Sequence, residues 1–136
     1  MAEDEGRKVD LSEGEWRERL DPERYHVLRE AGTEPPFTGR WVDNHERGDY
    51  VCAGCGQRLF RSDSKYDSGS GWPSFSEAAG QGAITEHSDA SHGMRRVEVR
   101  CARCEGHLGH LFPDGPGPTG LRYCINSAAM DFEPRE

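Results

Sequence analysis

Five cysteines are the residues of this chain whose type and spacing most directly predict chemistry. Four of them form two Cys-x-x-Cys pairs, Cys52 with Cys55 and Cys101 with Cys104, and 45 residues separate the pairs. Two such pairs are the recurring spacing of a four-thiolate zinc site, because each short turn brings two sulfurs together. We therefore predict one structural Zn²⁺ per chain, which ties together the two ends of the intervening segment.

The same spacing is compatible with two disulfides or with a redox-active Cys-x-x-Cys motif. Disulfides persist in oxidising compartments, and residues Met1 to Gly6 carry three acids and no apolar stretch, so we expect no export signal. A thioredoxin-type motif occurs once, between a strand and a helix, rather than twice. The pattern favours a zinc site in a cytoplasmic protein.

Cys124 has no partner in this scheme, so it is either an inert small hydrophobe or a reactive thiol. Strand alternation predicts that Leu121, Tyr123 and Ile125 face the core, and that Arg122, Cys124 and Asn126 face the other side. An inert core cysteine would be expected on the apolar side. A neighbouring cation also favours the nucleophilic thiolate. Both arguments favour a reactive Cys124.

Two histidines and one tryptophan are further candidates. His107 and His110 follow the second cysteine pair directly and would point to opposite faces of a regular strand. We expect Gly109 to host a bulge that turns both inward, although a structural role stays open for each. They are not expected to bind zinc, since four thiolates complete the tetrahedron. Trp72, in a glycine-rich turn, is either buried or forms a pocket wall.

The elements that must position these residues are a short helical lead-in and a mainly antiparallel β region. Ser12 and Glu15 fit a capping box for a helix to about Leu20. Asp21-Pro22 fits the start of a second helix, to about Ala31, with Gly32 ending it. Predicted strands follow at Gly48 to Val51, Gln57 to Phe60, Arg95 to Arg100, Leu108 to Phe112 and Gly120 to Ser127. Apolar and charged residues alternate in Val97–Arg100, which predicts a half-buried strand.

Composition excludes several classes of protein. The net charge of −8 argues against a nucleic-acid-binding module, and no apolar run is long enough to span a membrane. Leu, Ile, Val and Phe make up only 20 of 136 residues, so a bound metal would help a thin core. We expect one domain over residues 1–136, monomeric, with residues 1–10 as a flexible tail and a core at about 22–133.

Several separated motifs resemble those of the methionine-R-sulfoxide reductase family, B type, over about residues 22–133. They are Gly71-Trp72-Pro73-Ser74-Phe75, both cysteine pairs, Gly106-His107-Leu108-Gly109-His110, Phe112-Pro113-Asp114-Gly115-Pro116 and Arg122-Tyr123-Cys124-Ile125-Asn126-Ser127. Each motif alone is weak, whereas together they are highly specific. The resemblance implies a zinc-bearing fold of two antiparallel β-sheets. It also implies reduction of the R epimer of methionine sulfoxide, free or within proteins, and hence repair of oxidised proteins.

The resemblance also implies a role for each matching residue. It places the nucleophile on Cys124, sulfoxide binding and proton handling on His107, His110 and Asn126, and the methyl pocket on Trp72. It places zinc on Cys52, Cys55, Cys101 and Cys104. We add Phe112 and Arg122 as substrate-binding residues.

Ser70 is the one departure from the family pattern. Many members carry a second cysteine here, two positions before the tryptophan, which resolves the oxidised nucleophile. With four thiols assigned to zinc, this chain resembles the one-cysteine subtype, and we expect the sulfenic acid on Cys124 to be reduced by an external thiol. Thioredoxin, glutathione or a glutaredoxin could serve.

Two other functions compete with a reductase. A zinc-ribbon-like binding module without catalysis would tolerate replacement of Cys124. A redox switch would release its zinc on mild oxidation, before Cys124 is consumed.

Overall fold

A computed structural model describes residues 11–80, 82–90, 96–115 and 120–134. The predicted tail at 1–10 lies outside the described residues, as do Arg95 and Pro116. No helix in the described ranges has the length and apolar character needed to cross a membrane.

The helical lead-in forms as two short helices, α1 (Glu13–Arg19) and α2 (Pro22–Glu30). The predicted capping box is present at the start of α1, and Asp21 caps α2 through the backbone N–H of Arg24. The prediction that Gly32 ends α2 is wrong, because Ala31 takes the left-handed conformation there, with φ 56°. A side chain at position 32 would instead collide with the ring of His26.

In the described residues, nine strands follow the helices and form two antiparallel sheets, which confirms the predicted mainly β fold. They are β1 (Gly48–Cys52), β2 (Arg58–Arg61), β3 (Lys65–Tyr66), β4 (Ser74–Phe75), β5 (Ile84–Asp89), β6 (Arg96–Cys101), β7 (His107–Phe112), β8 (Arg122–Ile125) and β9 (Met130–Pro134). One sheet has the order β2-β1-β9, and the other has the order β3-β4-β8-β7-β6-β5. Short 3₁₀ turns at Ser62–Ser64 and Ser127–Ala129 lead into β3 and β9.

Aromatic side chains pack the two sheets against each other. The ring of Phe60 on β2 stacks on that of Phe75 on β4, with centroids 4.4 Å apart. Tyr50 on β1 meets Phe75 edge-on at 5.2 Å, and all three side chains are fully buried. Each of these large rings buries more apolar area than a single aliphatic side chain does. They therefore compensate for the thin aliphatic core.

The predicted alternation is confirmed within β8, where Tyr123 and Ile125 are buried while Arg122 and Cys124 are half-buried. It fails on either side of β8, because Leu121 is half-buried and Asn126 is buried. The prediction for Val97–Arg100 is wrong at one position, since Glu98 is buried. The reason is local: Glu98 binds His107 of β7 at 2.7 Å and Arg100 of its own strand at 2.9 Å. A paired carboxylate can be buried where an unpaired one cannot.

The predicted bulge forms in β7. Val99 pairs with Gly109, but the next residue, Arg100, pairs with His107, so that Leu108 is an extra residue on β7. This insertion changes the strand alternation, and the rings of His107 and His110 lie 5.4 Å apart. The bulge therefore brings together two histidines that a regular strand would separate.

Candidate active site

The four paired cysteines converge on one point, as their spacing predicts. Their sulfur atoms all lie within 4.8 Å of one another. Cys52 Sγ is 3.7 Å from Cys104 Sγ, and Cys55 Sγ is 3.5 Å from Cys101 Sγ. A tetrahedron of thiolates bound at about 2.3 Å from a metal ion has edges of about 3.8 Å. The cluster can therefore hold a metal ion with little movement.

Each cysteine pair forms the turn of a hairpin, and the two hairpins belong to different sheets. The first turn joins β1 to β2, and the second joins β6 to β7. The turns share one hydrogen-bond pattern, since Gly56 N donates to Cys52 O and Glu105 N donates to Cys101 O. A metal ion in this cluster would therefore join the ends of both sheets, close to the start of β7.

The lead-in helices cover this cluster. Arg29 of α2 donates to the carbonyl of Cys104 at 2.8 Å, and its guanidinium stacks over the buried ring of Trp16. The backbone N–H of Gly54 points at Cys52 Sγ, 3.3 Å away. Hydrogen bonds among the four thiols lower the pKa of Cys55 and of Cys101 and raise the pKa of Cys52 and of Cys104, so that the sulfurs share protons within the cluster. A metal ion would displace these protons.

Cys124 lies outside the cluster, in the middle of β8, and faces a cavity with about 380 Å³ of empty space. The strand pairs with Ser74 of β4 on one side and His110 of β7 on the other. This cavity, which we call the first cavity, brings together most of the predicted site residues. Its walls include Thr33, Trp72, His110, Phe112, Cys124 and Asn126.

The thiol of Cys124 is less acidic than the neighbouring cation suggested. Burial raises its pKa, and a hydrogen bond with Ser70 and the charge of Arg122 only partly oppose this effect. Ser70 Oγ lies 3.9 Å from Cys124 Sγ. The expected influence of Arg122 is present, but desolvation of the thiolate outweighs it. Cys124 is therefore a protonated thiol at neutral pH.

Each of the two histidines is held by a carboxylate. His110 Nε2 lies 2.7 Å from Asp89 Oδ2, at the end of β5, and its ring forms part of the cavity wall. His107 Nδ1 lies 2.7 Å from Glu98 Oε2. His107 is 95% buried within the sheet, and burial lowers its pKa, so the ring is neutral at pH 7. The first cavity is thus lined by His110, with His107 behind it.

A buried carboxylate that the sequence did not single out organises the opposite wall. Glu34 accepts hydrogen bonds from the backbone N–H groups of Ser127 and Ala128, each at 2.9 Å. Its own backbone N–H donates to Asn126 Oδ1, and its carbonyl accepts from Trp72 Nε1. Burial raises the pKa of Glu34 in spite of these donors. One residue therefore positions both the tryptophan and the asparagine.

Asn126 and Arg122 are placed differently from the other predicted residues. Asn126 lines the first cavity, but its Nδ2 already donates to the carbonyl of Leu108 at 3.0 Å. Arg122 lies behind Phe112, with its guanidinium 4.5 Å from the ring centre. Its Nε and Nη2 atoms both donate to the carboxylate of Asp114. The structure therefore brings Phe112 to the first cavity and holds Arg122 outside that cavity.

Comparison with known proteins agrees with this geometry. Residues 20–134 match the SelR domain. A protein of Agrobacterium fabrum named peptide methionine sulfoxide reductase MsrB is 61% identical over 127 residues, which is 93% of this chain and 94% of that protein. The chain belongs to the MsrB family. A protein of the same name from Methanosarcina mazei is 53% identical, over 95% of this chain and 92% of its own length.

The sequence indicated only those site residues that stand in motifs of the family. The cysteines, histidines and Trp72 stand in recognisable motifs. Glu34 stands in a loop between two prolines and a helix end, with no periodicity or motif to mark it. Asp89 lies in a strand that the pattern did not predict. Both act through side chains brought close by the fold, and sequence spacing carries no signal for them.

Proposed function

We propose that this protein reduces the R epimer of methionine sulfoxide, free or within proteins, to methionine. The observation that carries the proposal is a half-buried cysteine between an apolar and a polar wall of one cavity, in a chain 61% identical to a peptide methionine sulfoxide reductase. The R epimer is the one that the family resemblance implies. Repair of oxidised proteins is the corresponding biological role.

The first step joins the Cys124 sulfur to the sulfoxide oxygen. The thiol sulfur attacks the sulfoxide sulfur while its proton passes to the sulfoxide oxygen. The S–S bond so formed then breaks as the hydroxyl group moves to Cys124, which leaves a sulfenic acid on Cys124 and releases methionine. Because the thiol pKa is raised by burial, the proton stays on the cysteine until negative charge develops on the sulfoxide oxygen. No other proton donor is consumed overall.

The two walls of the cavity are suited to a chiral sulfur. We place the methyl group against Trp72 and Phe112, and the oxygen near His110, whose ring is held by Asp89. Because Asp89 accepts from Nε2, the ring presents Nδ1 to the oxygen, and a proton on Nδ1 stabilises the developing oxyanion. Asn126 Nδ2 uses one N–H on the carbonyl of Leu108, and its second N–H can donate to the same sulfoxide oxygen. His107 packs edge-on against the ring of His110 and helps to hold it in place.

We further propose that the cysteine cluster holds one structural Zn²⁺. Four thiolates in a tetrahedron are the usual environment of structural zinc, and the ion would cross-link the two hairpin turns without taking part in the reaction. A four-thiolate site and a reduced nucleophile also suit a reducing compartment, so we assign the protein to the cytoplasm. The shared cluster supports a single domain, and Phe37 is the one large hydrophobic residue exposed in the described ranges, which supports a monomer.

Incubation with separated R and S epimers and dithiothreitol tests the reaction. We expect loss of the R epimer alone, with methionine formed in equal amount. Consumption of neither epimer by metal-loaded protein would favour the zinc-ribbon-like binding module. Release of the metal at peroxide doses that leave Cys124 reduced would favour the redox switch. Regeneration by thioredoxin, glutathione or a glutaredoxin is compared in the same assay.

A further inference from the structure

A second cavity lies beside the first cavity and shares Trp72 with it. This second cavity has about 390 Å³ of empty space, and its walls include Phe37, Tyr66, Trp72, Asp43 and Asp67. Of these five residues, only Trp72 also lines the first cavity. The tryptophan on which we place the substrate methyl group therefore also forms one wall of a neighbouring space.

Phe37 combines two features that are unfavourable for folding. Its side chain is a large hydrophobic group that is 70% exposed. Its backbone takes the left-handed conformation, with φ 65°, which is strained for any residue with a bulky side chain. Strain of this kind is concentrated at sites that bind ligands. The core gains little from this ring, which leaves the ring available to a partner from solution.

The loop that presents Phe37 is fixed at both ends. At one end, the carboxylate of Glu34 accepts from two backbone N–H groups, and its carbonyl accepts from Trp72 Nε1. At the other end, Phe37 N donates to Gly71 O at 2.7 Å, and two prolines stiffen the backbone between these ends. A side chain at position 71 would collide with the Phe37 ring, so this ring packs against Gly71, next to Trp72. A ring held in this way loses little entropy when it binds a ligand.

The second cavity combines these aromatic rings with negative charge. Asp43 and Asp67 are exposed; Asp67 lies 3.3 Å from His45, whereas Asp43 forms no ion pair within the described ranges. Burial lowers the pKa of Lys65, and the charges of both carboxylates oppose this effect. The Lys65 ammonium donates to the carbonyl of Val42 at 2.9 Å, and Lys65 is not part of the cavity wall. Aromatic faces beside carboxylates are the surroundings that a lysine or arginine side chain favours.

We propose that the second cavity binds a lysine or arginine side chain next to the methionine sulfoxide of a polypeptide substrate, an inference that rests on the proposed function. The sulfoxide side chain occupies the first cavity, and the substrate backbone passes over Trp72. The long cationic side chain of the adjoining residue lies against the ring of Phe37, with its charge near Asp43. Phe37 is thus a specificity-determining residue that does not touch the reacting atoms.

Blocked peptides with one R-methionine sulfoxide test the proposal. The residue before or after the sulfoxide is lysine, norleucine or glutamate, where norleucine resembles lysine without its charge. The value of kcat/KM is measured with metal-loaded protein and dithiothreitol for each peptide and for acetylated R-methionine sulfoxide amide, which has no neighbouring side chain. We expect the unaltered protein to prefer lysine to norleucine about three- to tenfold in one of the two orders, and to reduce the glutamate peptide most slowly.

Three variants assign this preference to the second cavity. Phe37→Asn removes the ring but keeps a residue that tolerates the left-handed backbone. Asp43→Asn removes one carboxylate, and Glu18→Gln removes the same charge from an exposed position on α1 that lines neither cavity. We expect Phe37→Asn and Asp43→Asn each to lower the lysine preference about twofold or more. Glu18→Gln should leave the preference unchanged, and all three variants should reduce the acetylated amide at the unaltered rate.

Four results would contradict these expectations. Equal kcat/KM for the lysine and norleucine peptides in the unaltered protein, or a lysine preference that survives in Phe37→Asn, would overturn the proposal. A preference that Glu18→Gln lowers as much as Asp43→Asn would also overturn it, since attraction by the net charge of −8 would then explain the preference. Equal loss of activity by Phe37→Asn on every substrate, including the acetylated amide, would reduce Phe37 to a support for Trp72. Failure of the unaltered protein to reduce any of these substrates would instead overturn the proposed function.

Discussion

The four clustered cysteines and Cys124 show how one fold gives the same side chain two different environments. The clustered sulfurs are held at two hairpin turns, where each lies close to the other three and where the backbone N–H of Gly54 donates to Cys52. Cys124 lies in the middle of a strand, between a serine hydroxyl and an open cavity. Turns bring sulfurs together so that they can share an ion, whereas the strand presents one sulfur alone to a substrate.

The pKa values express the same contrast. In the cluster, hydrogen bonds among the thiols lower the pKa of Cys55 and Cys101 and raise the pKa of Cys52 and Cys104. At Cys124, burial is the dominant influence and raises the pKa. The protonation of each clustered sulfur therefore depends on the other three, whereas that of Cys124 depends mainly on its burial.

Replacement of Cys124 by serine should abolish the reaction without affecting the cysteine cluster, and it should have the largest effect. We expect Cys124→Ser to lower the rate of methionine formation by roughly 10³-fold or more, because serine is a poor nucleophile towards sulfur. The metal content and the melting temperature should change little. An active serine variant would remove Cys124 from the mechanism.

Removal of the metal from the cysteine cluster should lower the stability of the fold. With thiols kept reduced, a strong chelator should destabilise the protein by several kcal/mol and lower its melting temperature by roughly 10–20 °C. The reason is that the ion connects the hairpin turns of both sheets. An unchanged melting curve after verified metal removal would contradict a structural role for the metal ion. Cys124→Ser is the matched control, because it also removes a thiol but should leave the metal content and the melting temperature nearly unchanged.

The cluster was predictable from sequence because its spacing is local. Each pair occupies four consecutive residues, and the capping residues of α1 and α2 act over the same short range. The shortest strands, β3 and β4, have two residues each and carry no periodicity. β5 was also missed, because its polar and charged residues do not alternate in a recognisable way with apolar ones. β9 was missed although Met130 to Glu133 alternate apolar with acidic residues, because this run is short and ends at Pro134.

The environment of Cys124 was predictable only in part. Alternation correctly placed it beside Arg122 on the less buried face of β8. The pKa of Cys124 depends on how far burial of the thiol outweighs the charge of Arg122, and the residues that bury it, such as Ser70, lie far away in the sequence. The hydrogen bond between Glu34 and Trp72 likewise joins residues that are distant in the sequence. Such long-range packing leaves no pattern in a single sequence.

Removal of the Glu98 carboxylate, which holds the ring of His107, should have an intermediate effect. Burial opposes ionisation of Glu98, but hydrogen bonds from Arg100 and His107 prevail and hold its pKa below the usual value. Glu98→Gln should therefore cost about 1–2 kcal/mol at pH 7, since the side chain is largely buried. Urea unfolding of both proteins measures the difference.

The sign of the pH dependence follows from these shifts. The contribution of ionised Glu98 is complete above its unfolded pKa of about 4.5 and is lost as the pH falls through its lower folded value. The deficit of Glu98→Gln should therefore shrink below pH 4.5. His107, whose pKa burial lowers from 6.5, adds a loss of stability as the pH falls below 6.5. A deficit that grows in acid would contradict the assignment.

The two hairpin turns of the cluster offer the smallest and most closely matched test. Equivalent positions hold Gly56, with φ 82°, and Glu105, with φ 62°. Because a side chain is strained in this conformation, Glu105→Gly should stabilise the protein by about 0.5–1 kcal/mol and Gly56→Ala should destabilise it similarly. Chemical denaturation of metal-loaded protein measures both, and changes of the same sign would show that the two turns are not equivalent.

The central claim is that one sulfur is oxidised while four hold a metal ion. The most direct test follows a single turnover of metal-loaded protein with R-methionine sulfoxide and no reductant. It counts methionine formed, free thiols and bound metal on the same sample. The account predicts one methionine per chain, oxidation of Cys124 alone and full retention of the metal. Methionine formed together with metal release and oxidation of the clustered cysteines would contradict it.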